Sequence, residues 1–190
     1  MDLGSRIRKL RRRQFRTLQE IADRCGFTRS LLSKIETGRT VPPVATLSRI
    51  AAALGVGTSA LLDGAGQTGT VHAPAAEIGR DGLVMTDKGY AFHAFASRRS
   101  DKLMQPFLFE VRKGQVKPHK LAHRGEEFLY VLEGAIKYRV GSAEYRLSAG
   151  DSLYFDAETE HEVTPVSARA RYLAVFVEPP AAAGDGRAQR

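Results

Sequence analysis

The chain of 190 residues has one cysteine, no tryptophan and no long apolar run. Because Cys25 is alone, an intramolecular disulfide is excluded, and its place in an apolar helix stripe predicts a core residue rather than a reactive thiol. No apolar stretch approaches the length of a signal-peptide core or a membrane-spanning helix, and charge begins at Asp2. These absences predict a cytoplasmic protein of one or two domains without a membrane segment.

Acidic residues are scarce in the first third of the chain. Residues 1–62 contain 12 Lys or Arg and only 4 Asp or Glu, whereas the remainder contains 17 of each. The excess includes a dense run made of Arg6, Arg8, Lys9, Arg11, Arg12, Arg13 and Arg16. Such a run favours binding to nucleic-acid phosphates, because released counterions supply affinity that is independent of sequence. A membrane-surface helix is disfavoured, since Leu3, Ile7 and Leu10 form a narrow apolar stripe without Trp or Phe.

The stretch from Thr17 to Arg39 has the pattern of two short helices around a turn. Its apolar residues fall at helical spacing in two stripes, Leu18, Ile21, Ala22 and Cys25, then Leu31, Leu32 and Ile35. Thr17 and Glu20 predict a capping box for the first helix. Gly26 suits a left-handed turn, and Thr28 suits the N-cap of the second helix.

The second of these helices carries a polar outer face. With the apolar stripe turned inward, its outward residues are Arg29, Ser30, Ser33 and Lys34. Arginine and lysine donate to O6 and N7 of guanine, and serine hydrogen-bonds any base, so we expect this face to enter a major groove. An ordinary solvated helix face is the alternative, which the basic surroundings disfavour.

These segments resemble the lambda-repressor-like, or XRE, family of helix-turn-helix regulators. The stretches I-R-K-L-R, L-Q-E-I-A-D-R-C-G, L-L-S-K-I-E-T-G-R and T-L-S-R-I-A-A-A-L-G-V follow the family's order and spacing from about Gly4 to Leu62. The resemblance implies an all-α domain of five helices over residues 1–63 and an ion pair between Arg11 and Glu36. It also implies base contacts from Arg29, Ser30 and Lys34 and phosphate contacts from Thr37 and Arg39. Together with the outward Ser33, the N-cap Thr28 and Arg11, these residues form the predicted DNA-binding set.

After residue 63 the period of the apolar pattern changes. Residues 64–80 have the small, Gly-rich composition of a linker. Eight short apolar runs then predict strands at 90–96, 106–112, 127–132, 136–140, 144–147, 153–155, 161–166 and 171–177. We therefore expect an α + β protein with a second, antiparallel β-barrel domain over 81–178. The tail at 179–190 is predicted to be disordered.

The second domain resembles the cupins, β-barrels whose pocket is lined by two sequence motifs. The first begins at Gly114, G-Q-V-K-P-H-K-L-A-H-R-G-E-E-F-L-Y-V-L-E-G, and the second at Gly150, G-D-S-L-Y-F-D-A-E-T-E-H. The resemblance implies metal ligands at His123, Glu127 and His161. Leu121 stands where the family has its first histidine, and His119 lies two residues earlier, on the same face if the strand is regular.

The residues of this pocket suit two kinds of ligand, a divalent metal or an organic effector. Two imidazoles and one carboxylate with free positions can hold one divalent metal such as Zn, Fe, Mn or Ni. The same pocket, formed by His119, His123, Glu127 and His161, can instead hydrogen-bond an organic effector. His72 and His93 have no ligand partner at a recognisable spacing.

Two functions follow from the two domains. We expect a sequence-specific transcriptional regulator that binds a double-stranded operator as a homodimer, and whose cupin domain senses a small molecule or metal. We expect no enzymatic activity. The alternative is a non-haem iron oxygenase or epoxidase built from the same two domains, which the retained Arg29 and Lys34 disfavour. A purely architectural DNA-binding role would leave the pocket motifs unused.

Overall fold

The computed structural model describes residues 3–62, 69–78, 82–97, 99 and 102–177. Over these residues the chain forms five α-helices and then nine β-strands. The helices are α1 (Leu3–Arg13), α2 (Leu18–Cys25), α3 (Arg29–Glu36), α4 (Val44–Ala53) and α5 (Thr58–Leu62). The strands are β1 (Val84–Met85), β2 (Ala91–Ala94), β3 (Met104–Arg112), β4 (Glu126–Glu133), β5 (Ala135–Val140), β6 (Ala143–Ser148), β7 (Ser152–Asp156), β8 (His161–Pro165) and β9 (Arg169–Val177).

The turn between α2 and α3 is fixed by its local sequence. The Thr17 hydroxyl accepts a hydrogen bond from the Glu20 backbone N–H at 3.1 Å, and the Thr17 N–H donates to the Glu20 carboxylate at 2.6 Å. Gly26 adopts the left-handed conformation with φ of 62°, and the Thr28 hydroxyl accepts from the Leu31 N–H at 3.2 Å. The predicted helix-turn-helix is confirmed.

The helical domain has its own apolar core. Ile7, Ile21, Leu32 and Ile50 are almost completely buried within it. Cys25 is also buried, and burial raises the pKa of its thiol to about 11. The prediction that Cys25 is a core residue is confirmed, and its thiol stays protonated at neutral pH.

The strands form two antiparallel sheets rather than one continuously paired barrel among the residues described. The larger sheet has the order β1-β2-β3-β9-β4-β7, and the smaller has the order β6-β5-β8. All eight predicted strands are present. The additional strand β1 has only two residues, which is too short for a period-two pattern to show. Inward residues of both sheets pack into an aromatic core that includes Phe107, Phe109, Tyr138, Tyr172 and Phe176.

Three sequence expectations need correction or lie outside the described residues. Within the predicted linker, Ala75–Ile78 forms a short 3-10 helix, whereas 64–68 and 79–80 are not described. The predicted disordered tail at 179–190 also lies outside the described residues. His119 is expected on the ligand face only if its strand is regular, and this condition is not met, because residues 117–120 are irregular and Leu121 forms an isolated bridge to His161. Pro118 has no N–H to donate to a ladder, which explains the irregular backbone.

The helical and β domains touch at the start of α4. Pro42, Pro43, Val44 and Ala45 are all buried. The backbone N–H of Asp87, in the turn before β2, donates to the Val41 carbonyl at 3.0 Å. This contact brings the first turn of α4 to the space between the two sheets. No helix in the described part of the chain is long and apolar enough to cross a membrane.

Candidate functional site

The outer face of α3 has the exposure that DNA readout needs. Thr28, Arg29, Ser30 and Lys34 are exposed and Ser33 is half-buried, while Leu32 and Ile35 point into the core. The structure therefore places the polar residues of α3 on one accessible face, as the apolar pattern predicts. Exposed Thr37 and Arg39 follow at the C-terminal end of the helix.

Arg11 differs from these residues because it is buried. Its guanidinium donates to both Glu36 oxygens, at 2.6 and 2.8 Å, and to the Arg16 carbonyl at 2.8 Å. The hydrogen bond to Glu36 raises the pKa of Arg11. The predicted ion pair is confirmed, and it fastens the end of α3 to α1. Arg11 thus supports α3 from inside the domain and does not lie on the exposed polar face of that helix.

A second basic surface lies on the outer side of α1. Ser5, Arg8, Lys9, Arg12 and Arg13 line a shallow groove there, and its four cationic residues are exposed. No acidic side chain is among the residues that line it. The groove has the charge needed for a phosphate backbone.

The β domain brings three predicted ligand residues together. Glu127 lies on β4, His123 lies in the loop before it, and His161 begins β8. The Glu127 Oε2 is 3.4 Å from His123 Nε2 and 3.6 Å from His161 Nε2. All three side chains are buried, and their ligand atoms lie within 4.8 Å of one another.

The two imidazoles are oriented with one nitrogen toward this centre. His161 Nδ1 is 2.9 Å from the Thr159 carbonyl, and His123 Nδ1 is 3.3 Å from the Arg124 carbonyl. A carbonyl can only accept, so each Nδ1 is placed as a donor, and each Nε2 faces the Glu127 carboxylate. Burial lowers the pKa of His161, which favours the neutral imidazole that a metal requires.

Tyr138 completes the surroundings of the carboxylate. Its hydroxyl donates to Glu127 Oε1 at 3.2 Å, and burial followed by the charge of Glu127 raises the pKa of Tyr138 well above its usual value. The phenol therefore stays a donor and orients the carboxylate. Two imidazole nitrogens and an oriented carboxylate form a donor set that suits a divalent first-row metal.

His119 does not join this cluster. Its ring stacks on Tyr90 at 5.6 Å, and its Nδ1 is 2.8 Å from the Lys117 carbonyl. Its Nε2 is buried and has no hydrogen-bond partner among the described residues. Among the described histidines and acids, the group with metal-binding spacing consists of His123, Glu127 and His161.

A small cavity opens beside Glu127 and has a volume of about 20 Å³. Its walls come from both sheets and from α4, and they consist of Val44, Ala45, Tyr90, Phe109, Leu121, Glu127, Tyr138, Val163, Tyr172 and Phe176. The aromatic walls were not predicted from the sequence, although Tyr138 and Tyr172 occupy inward positions of their strands. No sequence pattern places Val44 and Ala45 at the cavity, because only the packing of the two domains brings them there.

These features define a two-domain protein in which a helix-turn-helix is joined to a β domain with a buried ligand site. Residues 2–63 match the family described as Helix-turn-helix domain, and residues 107–176 match the family described as Cupin domain. The chain belongs to the HTH-type transcriptional regulators, and its second domain is a cupin domain.

Individual relatives agree with this assignment. The chain is 44% identical over 54 residues to the uncharacterized HTH-type transcriptional regulator y4dJ of Sinorhizobium fredii, covering 28% of this chain and 70% of that protein. It is 24% identical over 166 residues to the HTH-type transcriptional regulator PuuR of Escherichia coli, covering 87% and 88% of the two chains. A solved HTH_3 family transcriptional regulator from Vibrio cholerae shares the fold with a TM-score of 0.68 at 20% identity, covering 93% and 95%.

Proposed function

We propose that this transcriptional regulator reads a two-fold operator as a homodimer and that its cupin domain binds the effector that controls it. The exposed polar face of α3 carries the first half of this proposal. The buried cluster of His123, Glu127 and His161 carries the second. Because its target is DNA, we place the protein in the cytoplasm.

Base contacts are assigned to Arg29, Ser30, Ser33 and Lys34, next to the N-cap Thr28. Phosphate contacts are assigned to Thr37, Arg39 and the exposed cations of α1. Side chains at the N-terminal half of the recognition helix reach base edges in a helix-turn-helix, and here Arg29 and Ser30 are exposed at that end of α3.

Operator binding is tested by selecting bound fragments from fragmented genomic DNA and confirming them by gel shift. We expect wild type to enrich a small set of sites and Arg29→Ala to lose that enrichment while it remains folded. Arg146→Ala is the matched control, because Arg146 is an exposed arginine on β6 of the cupin domain. Equal enrichment by Arg29→Ala would contradict the assignment of α3 as the reading helix.

The ligand cluster is assigned to one divalent metal, with Zn, Fe, Mn and Ni as the candidates. Elemental analysis of purified wild type, before and after reconstitution, is expected to give about one metal per chain. His123→Ala should lose it, and His119→Ala should keep it, since His119 lies outside the cluster. If wild type took up no metal after reconstitution, the cluster would bind an organic effector by hydrogen bonds instead.

The homodimer is assigned to the outer face of the larger sheet. Large apolar side chains stand exposed there, namely Met104, Phe128, Tyr130, Leu132, Tyr154 and Val177. Phe128 lies opposite Tyr154 on one side and Val175 on the other, so the apolar face is continuous across three strands. A continuous apolar face of this kind marks an interface, and a second copy would supply the second reading helix.

An iron oxygenase is the second candidate, and the same His–Glu–His set favours it. A bound Fe(II) would supply the oxygen chemistry, while the three residues would hold the ion and leave positions free for substrate. Oxygen consumption by the Fe(II)-reconstituted protein with candidate substrates tests this alternative. We expect no consumption above that of His123→Ala, and a clear excess would replace effector sensing with catalysis.

A further inference from the structure

We propose that the effector site is shared between the two domains and that the α4 lid, Val44 and Ala45, must leave the cupin domain before an organic effector enters. This inference rests on the proposed function, because it assumes that the cupin pocket binds an organic effector, either alone or beside a metal held by His123, Glu127 and His161. The ligand class that fits the walls is a small organic molecule with an apolar or aromatic body and a polar group for Glu127.

The α4 lid forms one wall of the cavity. Val44 is 1% exposed and Ala45 is 4% exposed, and both line the cavity that reaches Glu127. The other lining residues belong to the cupin domain and are apolar or aromatic apart from Glu127. The DNA-binding domain thus supplies part of the surface that any ligand in the pocket would touch.

The cavity is too small for an organic effector while the lid is in place. Its volume of about 20 Å³ accommodates one water or an ion. Pockets for organic ligands have volumes of roughly 300–1,000 Å³. Protein interiors are close-packed, so the cavity cannot enlarge much by small side-chain shifts. One of its walls therefore has to move.

The lid is the wall that moves most easily. β9 is hydrogen-bonded to β3 and β4, and β5 is hydrogen-bonded to β6 and β8, so moving these walls would break whole ladders. Among the described residues, the hydrogen bonds that join the start of α4 to the cupin domain run from the Asp87 N–H to the Val41 carbonyl at 3.0 Å and from the Val44 N–H to the Tyr90 hydroxyl. Releasing the lid therefore exposes the pocket while both domains keep their cores.

Release of the lid links the pocket to DNA. Leu47 and Ile50 continue α4 into the core of the helical domain, so displacement of its first turn shifts that whole domain relative to the cupin domain. An effector that binds only the open arrangement shifts the population toward it and, by reciprocity, operator DNA that prefers one arrangement alters effector affinity.

Labelling of a thiol introduced into the pocket tests the lid without a known effector. Val163 lines the cavity and is 6% exposed, so Val163→Cys in a Cys25→Ala background reports access. Val131→Cys is the matched control, because Val131 is completely buried in the same domain and lies outside the cavity wall. The rate to be measured is that of thiol labelling by the aromatic disulfide reagent dithionitrobenzoate, on the full chain.

We expect Tyr90→Phe, which removes the acceptor of the Val44 N–H, to speed labelling of the Val163→Cys protein by about tenfold and to leave labelling of the Val131→Cys protein unchanged. Ala45→Trp, whose side chain exceeds the cavity, should act in the same direction. If either lid variant fails to fold, the other still decides the result. Equal labelling rates of Val163→Cys with and without the lid variants would overturn the proposal, as would equal acceleration at both positions.

The labelled Val163→Cys protein then serves as a stand-in for the effector-bound form. Its thionitrobenzoate group is an aromatic body in the cavity, and we expect operator affinity to change by at least about tenfold relative to the unlabelled protein. Unchanged affinity would overturn the link between pocket and DNA. Failure of the unlabelled protein to bind any operator would instead contradict the proposed function, and the labelling rates would still decide the lid.

Discussion

Two arginines of the helical domain take different roles because one is buried and the other is exposed. Arg11 and Arg29 both belong to the DNA-binding domain, yet Arg11 is 8% exposed and paired with Glu36, whereas Arg29 is exposed where it can reach a base. Burial makes Arg11 costly to remove, since its partner would keep an uncompensated charge. Because Arg29 is exposed, its removal should cost little stability, and the proposed function gives it a role in recognition.

Arg11→Ala is expected to destabilise the helical domain by about 3–5 kcal/mol, because Glu36 would remain buried without its partner. Denaturant or thermal unfolding followed by circular dichroism measures the change. Arg12→Ala is the matched control, because Arg12 is the next residue of α1 and is exposed. A wild-type melting temperature for Arg11→Ala would show that the ion pair does not support α3.

At the scale of elements, turns decide where the strands meet. Gly134 joins β4 to β5 with φ of 76°, and a Cβ there would lie 2.3 Å from the Arg169 carbonyl oxygen. Gly150 joins β6 to β7 with φ of 95°, but nothing lies within 4 Å of an added Cβ. Both glycines have a positive φ that would strain a residue with a Cβ, but only Gly134 also lacks space for that atom.

Gly134→Ala is therefore expected to destabilise the cupin domain clearly more than Gly150→Ala. For Gly150→Ala we expect only the backbone cost of a left-handed alanine, about 1–2 kcal/mol. Urea unfolding of both variants, followed by the near-ultraviolet signal of the tyrosines, measures the difference. Equal losses would mean that the close approach to Arg169 is relieved by a small shift.

Elements that depend on local sequence could be predicted, whereas contacts that depend on the packing of the two domains could not. The capping of α2 and α3 depends on residues three positions apart, so Thr17, Glu20 and Thr28 could be assigned locally. The strands could be predicted from period-two alternation, and the two motifs placed Glu127 and His161 on strands that bring their side chains together. His119, the alternative ligand, lies outside the cluster because the backbone around Pro118 is not a regular strand. The cavity wall formed by α4 was not predicted, because domain packing leaves no local sequence pattern.

For the whole molecule, a two-fold operator needs two reading helices at a fixed spacing of about one DNA turn. The apolar outer face of the larger sheet can hold two copies together through Phe128, Tyr130 and Tyr154. Movement of the α4 lid in each copy would then alter how the two α3 helices fit adjacent major grooves. In this proposal, dimerisation and effector response would use different surfaces of one cupin domain.

Tyr130→Glu is expected to shift the protein from dimer to monomer, because a charge would be buried in an apolar interface. Tyr145→Glu is the matched control, since Tyr145 is equally exposed, at 41% against 39% for Tyr130, but lies on the smaller sheet. Light scattering at micromolar concentration measures the mass. A dimer that survives Tyr130→Glu, or dissociates with Tyr145→Glu, would place the interface elsewhere.

The most direct measurement is operator affinity for wild type, Arg29→Ala and Arg39→Ala across a series of salt concentrations. If α3 reads bases, Arg29→Ala loses about 1–3 kcal/mol of specific binding and relaxes discrimination between operator and mutated sites. Arg39→Ala should weaken binding uniformly and reduce the salt slope by about 1, as expected for one lost phosphate contact. Wild-type specificity in Arg29→Ala would contradict the conclusion that this helix recognises the operator.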